Sequence, residues 1–200
     1  LRCLVGSEMC IRDRFRYERP QKGRKRQFFQ AGAELIGEES TKSDVEIILL
    51  AKTILEKLNV KYTLEINYLG KEDSLNSYRS YLRKYLQNFK DELSEKVYSR
   101  LQRNPIRAID SKDTNIQEIF KKASDISDFL KKEEKESFER TIKSLKDLKI
   151  DFNLNKNLVR GLDYYTGTVF EFTVDGLGAQ NAVIGGCLLY TSPSPRDIGE

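Results

Sequence analysis

The sequence predicts an α+β fold in which strands distant in the chain form one antiparallel sheet flanked by helices. Apolar and polar residues alternate over residues 62–68 and again over 169–174, with the two-residue period of a half-buried strand. Between these stretches, apolar residues over 74–149 recur every three or four positions, which is typical of amphipathic helices. The return of strand character after residue 151 therefore predicts a sheet interrupted by an all-helical insertion lobe.

A helix is predicted ahead of the first strand, over residues 41–59. Ser43 and Glu46 have the spacing of a capping box, in which Ser43 would accept a hydrogen bond from the Glu46 amide. Apolar residues follow at helical spacing at Val45, Ile48, Leu49, Leu55 and Leu58. A helix followed by a strand at 61–69 favours an α/β or α+β layer.

Four helices are expected within the insertion lobe. The first carries a largely aromatic stripe formed by Tyr78, Tyr81, Leu82, Tyr85, Leu86 and Phe89. The second, over 93–101, must end near Asn104, because Pro105 disfavours helical geometry in the residue before it. Apolar residues at 116–123 and 138–148 indicate the third and fourth helices.

Composition excludes several classes of protein. The 200-residue chain is 33% charged, and its longest apolar run, residues 47–51, is far shorter than the roughly 20 residues of a membrane-spanning helix. It has no histidine, which removes the usual general base, the usual metal ligand and ordinary serine or cysteine triads. Its three cysteines lack CxxC spacing, so they form neither a disulfide framework nor a zinc site. We expect a cytoplasmic protein without membrane association, whose chemistry uses carboxylates, arginines, lysines or the substrate itself.

Positive charge is concentrated in two stretches. The formal net charge is only +4, but residues 16–26 carry six basic side chains against one acidic one, and residues 79–107 carry eight against three. Such clusters can contact phosphate groups. A solvated helix surface explains the second stretch equally well, so the charge pattern alone leaves a nucleic-acid partner open.

The two ends of the chain differ from its middle. Residues 1–14 hold two of the three cysteines and the only methionine, and residues 187–200 hold the third cysteine and two of the four prolines. Both segments resemble translated sequencing-adapter read-through. We expect them to be non-native, exposed or irregular, and to make few contacts with the sheet.

A long hairpin with a basic tip is predicted over residues 15–34, FRYERPQKGRKRQFFQAGAE. Two arms rich in aromatic and polar residues flank a loop that contains Pro20, Gly23 and several cations. Guanidinium groups in such a loop can bind a triphosphate bidentately, and Phe28 offers a ring face to a flat base. Nucleotide binding is one interpretation, and a basic solvent loop on an ordinary sheet is the other.

Three segments together resemble histidyl-tRNA synthetases. The hairpin resembles motif 2 of class II aminoacyl-tRNA synthetases, and residues 158–171, LVRGLDYYTGTVFE, resemble the histidine-recognition motif of the histidyl family. Residues 104–112, NPIRAIDSK, are similar to a short signature in that family's insertion domain. The resemblance covers about residues 15–186 and implies a class II synthetase-type antiparallel sheet with a helical insertion.

The resemblance also divides the chain. It implies catalytic core in residues 15–73 and 151–186, and an insertion domain in 74–150. Motif 1, the dimer interface of the class, motif 3 and an anticodon-binding domain have no counterpart here. We therefore expect a central fragment of a catalytic domain, inactive by itself, from a parent enzyme that forms a homodimer.

The family's reaction joins histidine to ATP as an adenylate and then transfers the histidyl group to the 3′ end of tRNA(His). Such a reaction needs mainly positioning and charge neutralisation, which suits a site built from arginines. The resemblance implies that Arg16 lies between the histidine carboxylate and the α-phosphate, and that Arg160 lies opposite. It also implies that Glu18 binds the adenine amino edge and that Phe28 stacks on the ring. Arg24 and Arg26 are candidates for the outer phosphates, and Mg²⁺ is expected with ATP.

The amino-acid pocket is implied by the same two motifs. Gln30 and Glu34 are assigned to histidine, with Glu34 on the ammonium side, and Tyr164 and Tyr165 line the imidazole end. Arg16 and Arg160 complete this set. Without the surrounding motif, adjacent tyrosines would indicate core packing.

Two other functions remain open from the sequence. A synthetase-like regulatory subunit that senses histidine in histidine biosynthesis would have the same fold, although such proteins usually lose some of these arginines and tyrosines. The insertion lobe by itself could be a non-enzymatic RNA-binding module. In a synthetase, its basic stretch would contact the phosphates of the tRNA acceptor arm.

Overall fold

A computed structural model describes residues 6–17, 25–36, 40–111, 113–159, 165–177 and 181–188. Its strands are β1 (Gly6–Phe15), β2 (Gln27–Ile36), β3 (Thr63–Tyr68), β4 (Asn153–Leu154), β5 (Thr166–Thr173) and β6 (Ala182–Leu188). Its α-helices are α1 (Thr41–Lys57), α2 (Glu72–Gln87), α3 (Glu95–Arg103), α4 (Thr114–Phe120) and α5 (Lys132–Asp147). Short 3₁₀ turns occupy Lys90–Glu92, Pro105–Ala108 and Ile126–Asp128. The predicted α+β class is confirmed.

The central sheet has the strand order β4-β3-β5-β6. Strands β3 and β5, which come from opposite sides of the insertion, pair antiparallel, and β6 pairs antiparallel with β5. Leu64 and Ile66 lie across from Phe172 and Phe170, and these buried side chains form one core cluster with α1. Burial of such side chains stabilises a fold by roughly 1.5–3 kcal/mol each. The prediction that strands on the two sides of the insertion share a sheet is therefore confirmed.

The hairpin forms a sheet of its own. Strands β1 and β2 pair antiparallel in continuous register from Gly6↔Ile36 to Phe15↔Gln27, and the structure places them in a two-stranded sheet apart from the central one. The prediction of one sheet containing residues 15–34, 61–69 and 168–184 is thus wrong for the hairpin. The ten-residue ladder pairs the backbone N–H and C=O groups on the facing edges of both arms, so the hairpin does not need a third strand.

Part of each chain end is regular, contrary to expectation. Residues 6–14 belong to β1, and Cys187 and Leu188 pair with Val169 and Thr166 of β5. Backbone pairing depends little on which side chains a strand carries, so composition misled the prediction here. Residues 1–5 and 189–200 lie outside the described residues.

Helix α1 begins at Thr41 as predicted, but its N-cap lies three residues before the predicted cap. Ser40 has extended backbone geometry, and its hydroxyl oxygen accepts a hydrogen bond from the Ser43 amide at 3.3 Å. Ser43 is therefore a residue of the first turn, and Ser40 is the N-cap. The predicted capping role of Ser43 is wrong, because an earlier serine already binds its amide.

The insertion is helical throughout residues 78–101 apart from short turns, as predicted, and α3 ends at Arg103 just before Asn104-Pro105. Its buried apolar side chains form a second core cluster that includes Leu75, Tyr78, Leu82, Leu86, Leu101, Ile106, Ile116 and Phe120. Helix α5 differs from the prediction. Leu145 is fully buried in the sheet cluster with Phe138 packed against it, so α5 packs with α1 and the sheet.

Glu134 marks the place where the lobe leaves and rejoins the sheet layer. Its carboxylate is buried and accepts hydrogen bonds from the amides of Lys71 (2.5 Å) and Lys131 (2.7 Å) and from the Ser74 hydroxyl (2.5 Å). Gly70 has φ +76°, and a Cβ there would lie 2.7 Å from Leu130 Cδ2. The two ends of the segment between residues 71 and 131 are therefore adjacent. A residue with a side chain at position 70 would be strained by the positive φ and would have to displace the end of the Leu130 side chain.

Candidate functional site

The hairpin positions the first group of predicted site residues. Arg16 directly follows β1, and its amide donates to the carbonyl of Arg26 at 2.8 Å, which continues the ladder one step beyond Phe15 and Gln27. The ladder therefore holds Arg16 and Arg26 opposite each other at the base of the tip. Glu18 and Arg24, which belong to the tip, lie outside the described residues.

Two arginines at the base of the tip lie against aromatic rings. Arg16 Cζ is 5.1 Å from the centroid of the Phe28 ring, and Arg26 Cζ is 5.3 Å from that of Tyr17. Both distances are within the range of cation–π attraction, which is worth about 0.5–1 kcal/mol at exposed sites. Tyr17 is 97% exposed, so this end of the hairpin presents cations and ring faces to solvent.

Phe28, Gln30 and Glu34 share one face of β2. They alternate along a strand whose register has no bulge, and successive even positions point to the same side. Gln30 and Glu34 are exposed and Phe28 is half-buried. The structure thus places one predicted adenine contact and two predicted histidine contacts along a single face. An open depression beside them is lined by Lys25, Gln27, Phe28 and Phe29.

The recognition motif is described only in part. Tyr165 is half-buried and directly precedes β5, whereas Arg160 and Tyr164 lie outside the described residues. The predicted cleft shared by Arg16 and Arg160 therefore stays a prediction. Hydrogen bonding places the hairpin in one sheet and the strand after Tyr165 in another.

A polar face of the central sheet was missed by the sequence reasoning. Glu65 and Asn67 alternate with the core residues of β3 and so lie on the other face, and Glu65 is directly opposite Glu171 of β5. Asn155 donates from Nδ2 to Glu65 Oε2 at 2.8 Å. The signal was available, because polar residues at odd positions of a strand whose even positions are apolar must face away from that core. Their partners, about 90 residues away, could not be read from the pattern.

The described residues show no site for a resident metal ion. Within those ranges, no three histidine, cysteine, aspartate or glutamate side chains are grouped closely enough to hold one. Magnesium usually binds through substrate phosphates, water and one or two carboxylates, so this finding does not bear on a magnesium ion carried by ATP. In the same part of the chain, no helix combines the length and the apolar character that crossing a membrane requires.

Similarity to known proteins agrees with these motifs. The histidine–tRNA ligase of Wolbachia pipientis subsp. Culex pipiens (strain wPip) is 47% identical over 174 residues, which are 86% of this chain and 43% of that protein. The ligase of Anaplasma phagocytophilum (strain HZ) is 48% identical over 174 residues, covering 86% of this chain and 41% of that protein. The chain therefore spans about two fifths of the length of these curated relatives.

Solved structures show the same fold. Apo histidyl-tRNA synthetase from S. aureus has a TM-score of 0.70 at 32% identity, covering 90% of this chain and 43% of that one. A Bacillus halodurans C protein described as an ATP phosphoribosyltransferase regulatory subunit/histidyl-tRNA synthetase has a TM-score of 0.57 at 20% identity, which shows a shared fold alone. A family model described as histidyl-tRNA synthetase matches residues 10–187. This chain belongs to the histidyl-tRNA synthetase family.

Proposed function

We propose that this chain is part of the catalytic domain of a ligase that activates histidine with ATP and transfers it to the 3′ end of tRNA(His). The observation that carries the proposal is the family match over residues 10–187, which includes both the hairpin and the recognition motif. The exposed cationic and aromatic end of the hairpin supports it, since a nucleotide needs both kinds of contact.

ATP would bind at the tip of the hairpin. Phe28 would stack on adenine, Glu18 would bind the adenine amino edge, and Arg24 and Arg26 would bind the outer phosphates with Mg²⁺ beside them. Arg16 would bridge the α-phosphate and the histidine carboxylate. The proximity of Arg16 to Phe28 supports these roles, because an α-phosphate and a base of one nucleotide are joined by a single ribose.

Histidine would bind farther along the same hairpin face. Gln30 and Glu34 are exposed there, and Glu34 would bind the α-ammonium group. Tyr164 and Tyr165 would contact the imidazole, and Arg160 would neutralise the α-phosphate from the other side. As the carboxylate oxygen attacks phosphorus and pyrophosphate leaves, Arg16 and Arg160 would stabilise the negative charge of the transition state.

We further propose that residues 15–73 and 151–186 are catalytic core, that the residues between them form an insertion domain, and that residues 1–14 and 187–200 are not native. The basic stretch of α2 and α3 would contact phosphates of the tRNA acceptor arm. In its complete form the ligase would be a cytoplasmic homodimer. The regulatory-subunit alternative is weaker, because the Bacillus halodurans C likeness shows the fold alone.

The test uses a grafted ligase, in which residues 15–186 replace the matching segment of the Wolbachia enzyme. We expect histidine-dependent exchange between ATP and pyrophosphate. Arg160→Ala should lower that exchange by about 10²-fold, the scale of losing a preorganised charge partner, while tRNA affinity stays nearly unchanged. Histidine binding without any exchange would favour a regulatory subunit, and normal exchange by Arg160→Ala would remove Arg160 from the proposed site.

A further inference from the structure

Asn67 is a buried polar residue near the end of β3, and its side chain binds a distant turn. It is 8% exposed, and its Nδ2 donates to two backbone carbonyls, those of Lys156 at 3.2 Å and Leu158 at 3.0 Å. One carboxamide nitrogen therefore uses both of its protons on a segment about 90 residues away. Strand β4, which pairs with β3, ends at Leu154, so no backbone ladder of this sheet reaches these two carbonyls.

The bound segment is a compact turn. The Asn155 amide donates to the carbonyl of Ile66 at 3.0 Å, and the Leu158 amide donates back to the carbonyl of Asn155 at 3.0 Å. The amide of Asn157 donates to Asn155 Oδ1 at 3.0 Å. Residues 155–158 are thus fixed to β3 at both ends of the turn, with Asn67 as the side chain that binds its second half.

The turn is also fixed from the side of the helical lobe. Leu158 and Val159 are buried in the lobe's core cluster, and Lys156 Nζ is 3.0 Å from Asp125 Oδ2, at the start of a 3₁₀ turn. The Lys156 side chain is 73% exposed, so this ion pair contributes little by itself. The buried contacts of Asn67 and Leu158 therefore determine the position of the backbone at residue 159.

Arg160 is the next residue in the sequence, and it is one of the two arginines proposed to act on the α-phosphate. We infer that Asn67 is a positioning residue for this reaction, whose carboxamide holds the 155–158 turn so that the chain enters the recognition motif in one fixed register. This inference rests on the proposed function, because the register matters for catalysis only if Arg160 takes part. Asn67 itself would touch neither histidine nor ATP.

The substitution Asn67→Asp tests the inference with little change of volume. It removes both donors and turns an oxygen toward two carbonyl oxygens. In the 200-residue chain, amide hydrogen exchange should show a loss of protection of about 10-fold or more at Asn157 and Leu158, while Leu64 and Ile66 stay protected. Lys156→Ala is the matched control, which removes the exposed contact to the same turn and should leave that protection nearly unchanged.

The catalytic consequence is measured in the grafted ligase after titration of active sites. Asn67→Asp should lower kcat for pyrophosphate exchange by about 10²-fold, the cost of a misplacement of about 1 Å, with the KM for ATP changed by less than about 3-fold. A merely structural role would reduce the titratable sites and leave kcat per site intact. That result, or unchanged protection of the turn, would overturn the inference. If the unsubstituted graft shows no exchange, the proposed function fails, and the catalytic part of this inference fails with it.

Discussion

The guanidinium of Arg16 lies over the ring of Phe28, with Cζ 5.1 Å from the ring centroid. In the proposed site these residues serve different parts of ATP, the phosphate and the base. The two side chains contact each other across the end of the hairpin. In the proposed site, adenine that stacks on the same face of Phe28 would displace the guanidinium from the ring.

This relationship predicts opposite effects of Arg16→Met on two ligands. Adenosine has no phosphate, so its affinity for the chain should rise about 2- to 5-fold once the competing cation–π contact is removed. ATP affinity should fall, because its phosphates lose a charged partner. Arg26→Met is the control for adenosine, since Arg26 lies over Tyr17 instead. Titrations followed by NMR measure both ligands, and unchanged adenosine affinity in Arg16→Met would contradict the prediction.

A second prediction compares two tyrosine hydroxyls of the aromatic stripe on α2. Tyr78 is 4% exposed, and no residue in the described part of the chain hydrogen-bonds its hydroxyl; burial raises the pKa of this phenol above its ordinary range. The Tyr85 hydroxyl donates to the carbonyl of Ile119 at 2.9 Å. Tyr78→Phe should be neutral or stabilising, whereas Tyr85→Phe should lower the free energy of unfolding by about 1 kcal/mol. Urea denaturation of the two variants decides it, and equal losses would be inconsistent with the structure.

A third prediction concerns the contact between Gly186 and Phe170, which face each other on β6 and β5. A Cβ at residue 186 would lie 2.6 Å from Phe170 Cε1 and closer still to Cζ, and this ring is only 2% exposed. Gly186→Ala should therefore destabilise the chain by about 1–3 kcal/mol through overpacking. Gly32→Ala on β2 is the control, because nothing lies within 4 Å of a Cβ there. Thermal unfolding that is the same for both variants would refute this packing.

A fourth prediction is a pH dependence at Asp125. Burial raises the pKa of this carboxyl, but hydrogen bonds from the Ser127 amide and the Lys156 ammonium outweigh burial and hold the pKa below its ordinary value of 3.8. Since the folded pKa is the lower one, the carboxylate stabilises the fold above pH 3.8, and this contribution is lost as pH falls through the folded pKa.

Asp125→Asn should accordingly lower Tm by a few degrees at most at pH 7. The loss of Tm should be smaller below pH 3.8, where the carboxylate of the unsubstituted chain becomes protonated. This substitution keeps an oxygen that can accept from Ser127, so the variant isolates the charge. High salt should shrink the difference at pH 7, because Lys156 is largely exposed. If the difference in Tm between the unsubstituted chain and Asp125→Asn grows on acidification, the pKa of Asp125 is not lowered by folding and the prediction is wrong.

The periodicity of the sequence predicted the helices and strands better than it predicted which of them pair or pack together. The alternation around Leu64 and Phe172 and the stripe around Tyr78 report which face of an element is buried, and the structure confirms both. Sequence pattern does not say which open edge a strand joins, so the separate sheet of the hairpin was missed. For the same reason, α5 was grouped with the lobe although its apolar face, including Leu145, packs on the sheet layer.

In the candidate site, too, local pairing could be predicted from the sequence, whereas contacts between distant residues could not. A hairpin fixes its own register, so the pairing of the arms that carry Arg16 and Phe28 followed from the sequence. The bonds from Asn67 to Lys156 and Leu158 did not, because one asparagine in a strand looks the same whether it faces solvent or binds a turn far along the chain. Buried side chains that bind distant backbone need coordinates to be recognised.

The carboxylate of Glu134 binds the amides of Lys71 and Lys131, so the polypeptide departs from the sheet layer and comes back at a single point. A segment with coincident ends can be gained, exchanged or lost in one step during evolution, because a short linker can close the gap while β3 and β5 remain neighbours. The helical lobe therefore enters the chain through one pair of adjacent ends, although Leu158, Val159 and Val169 also pack into its core.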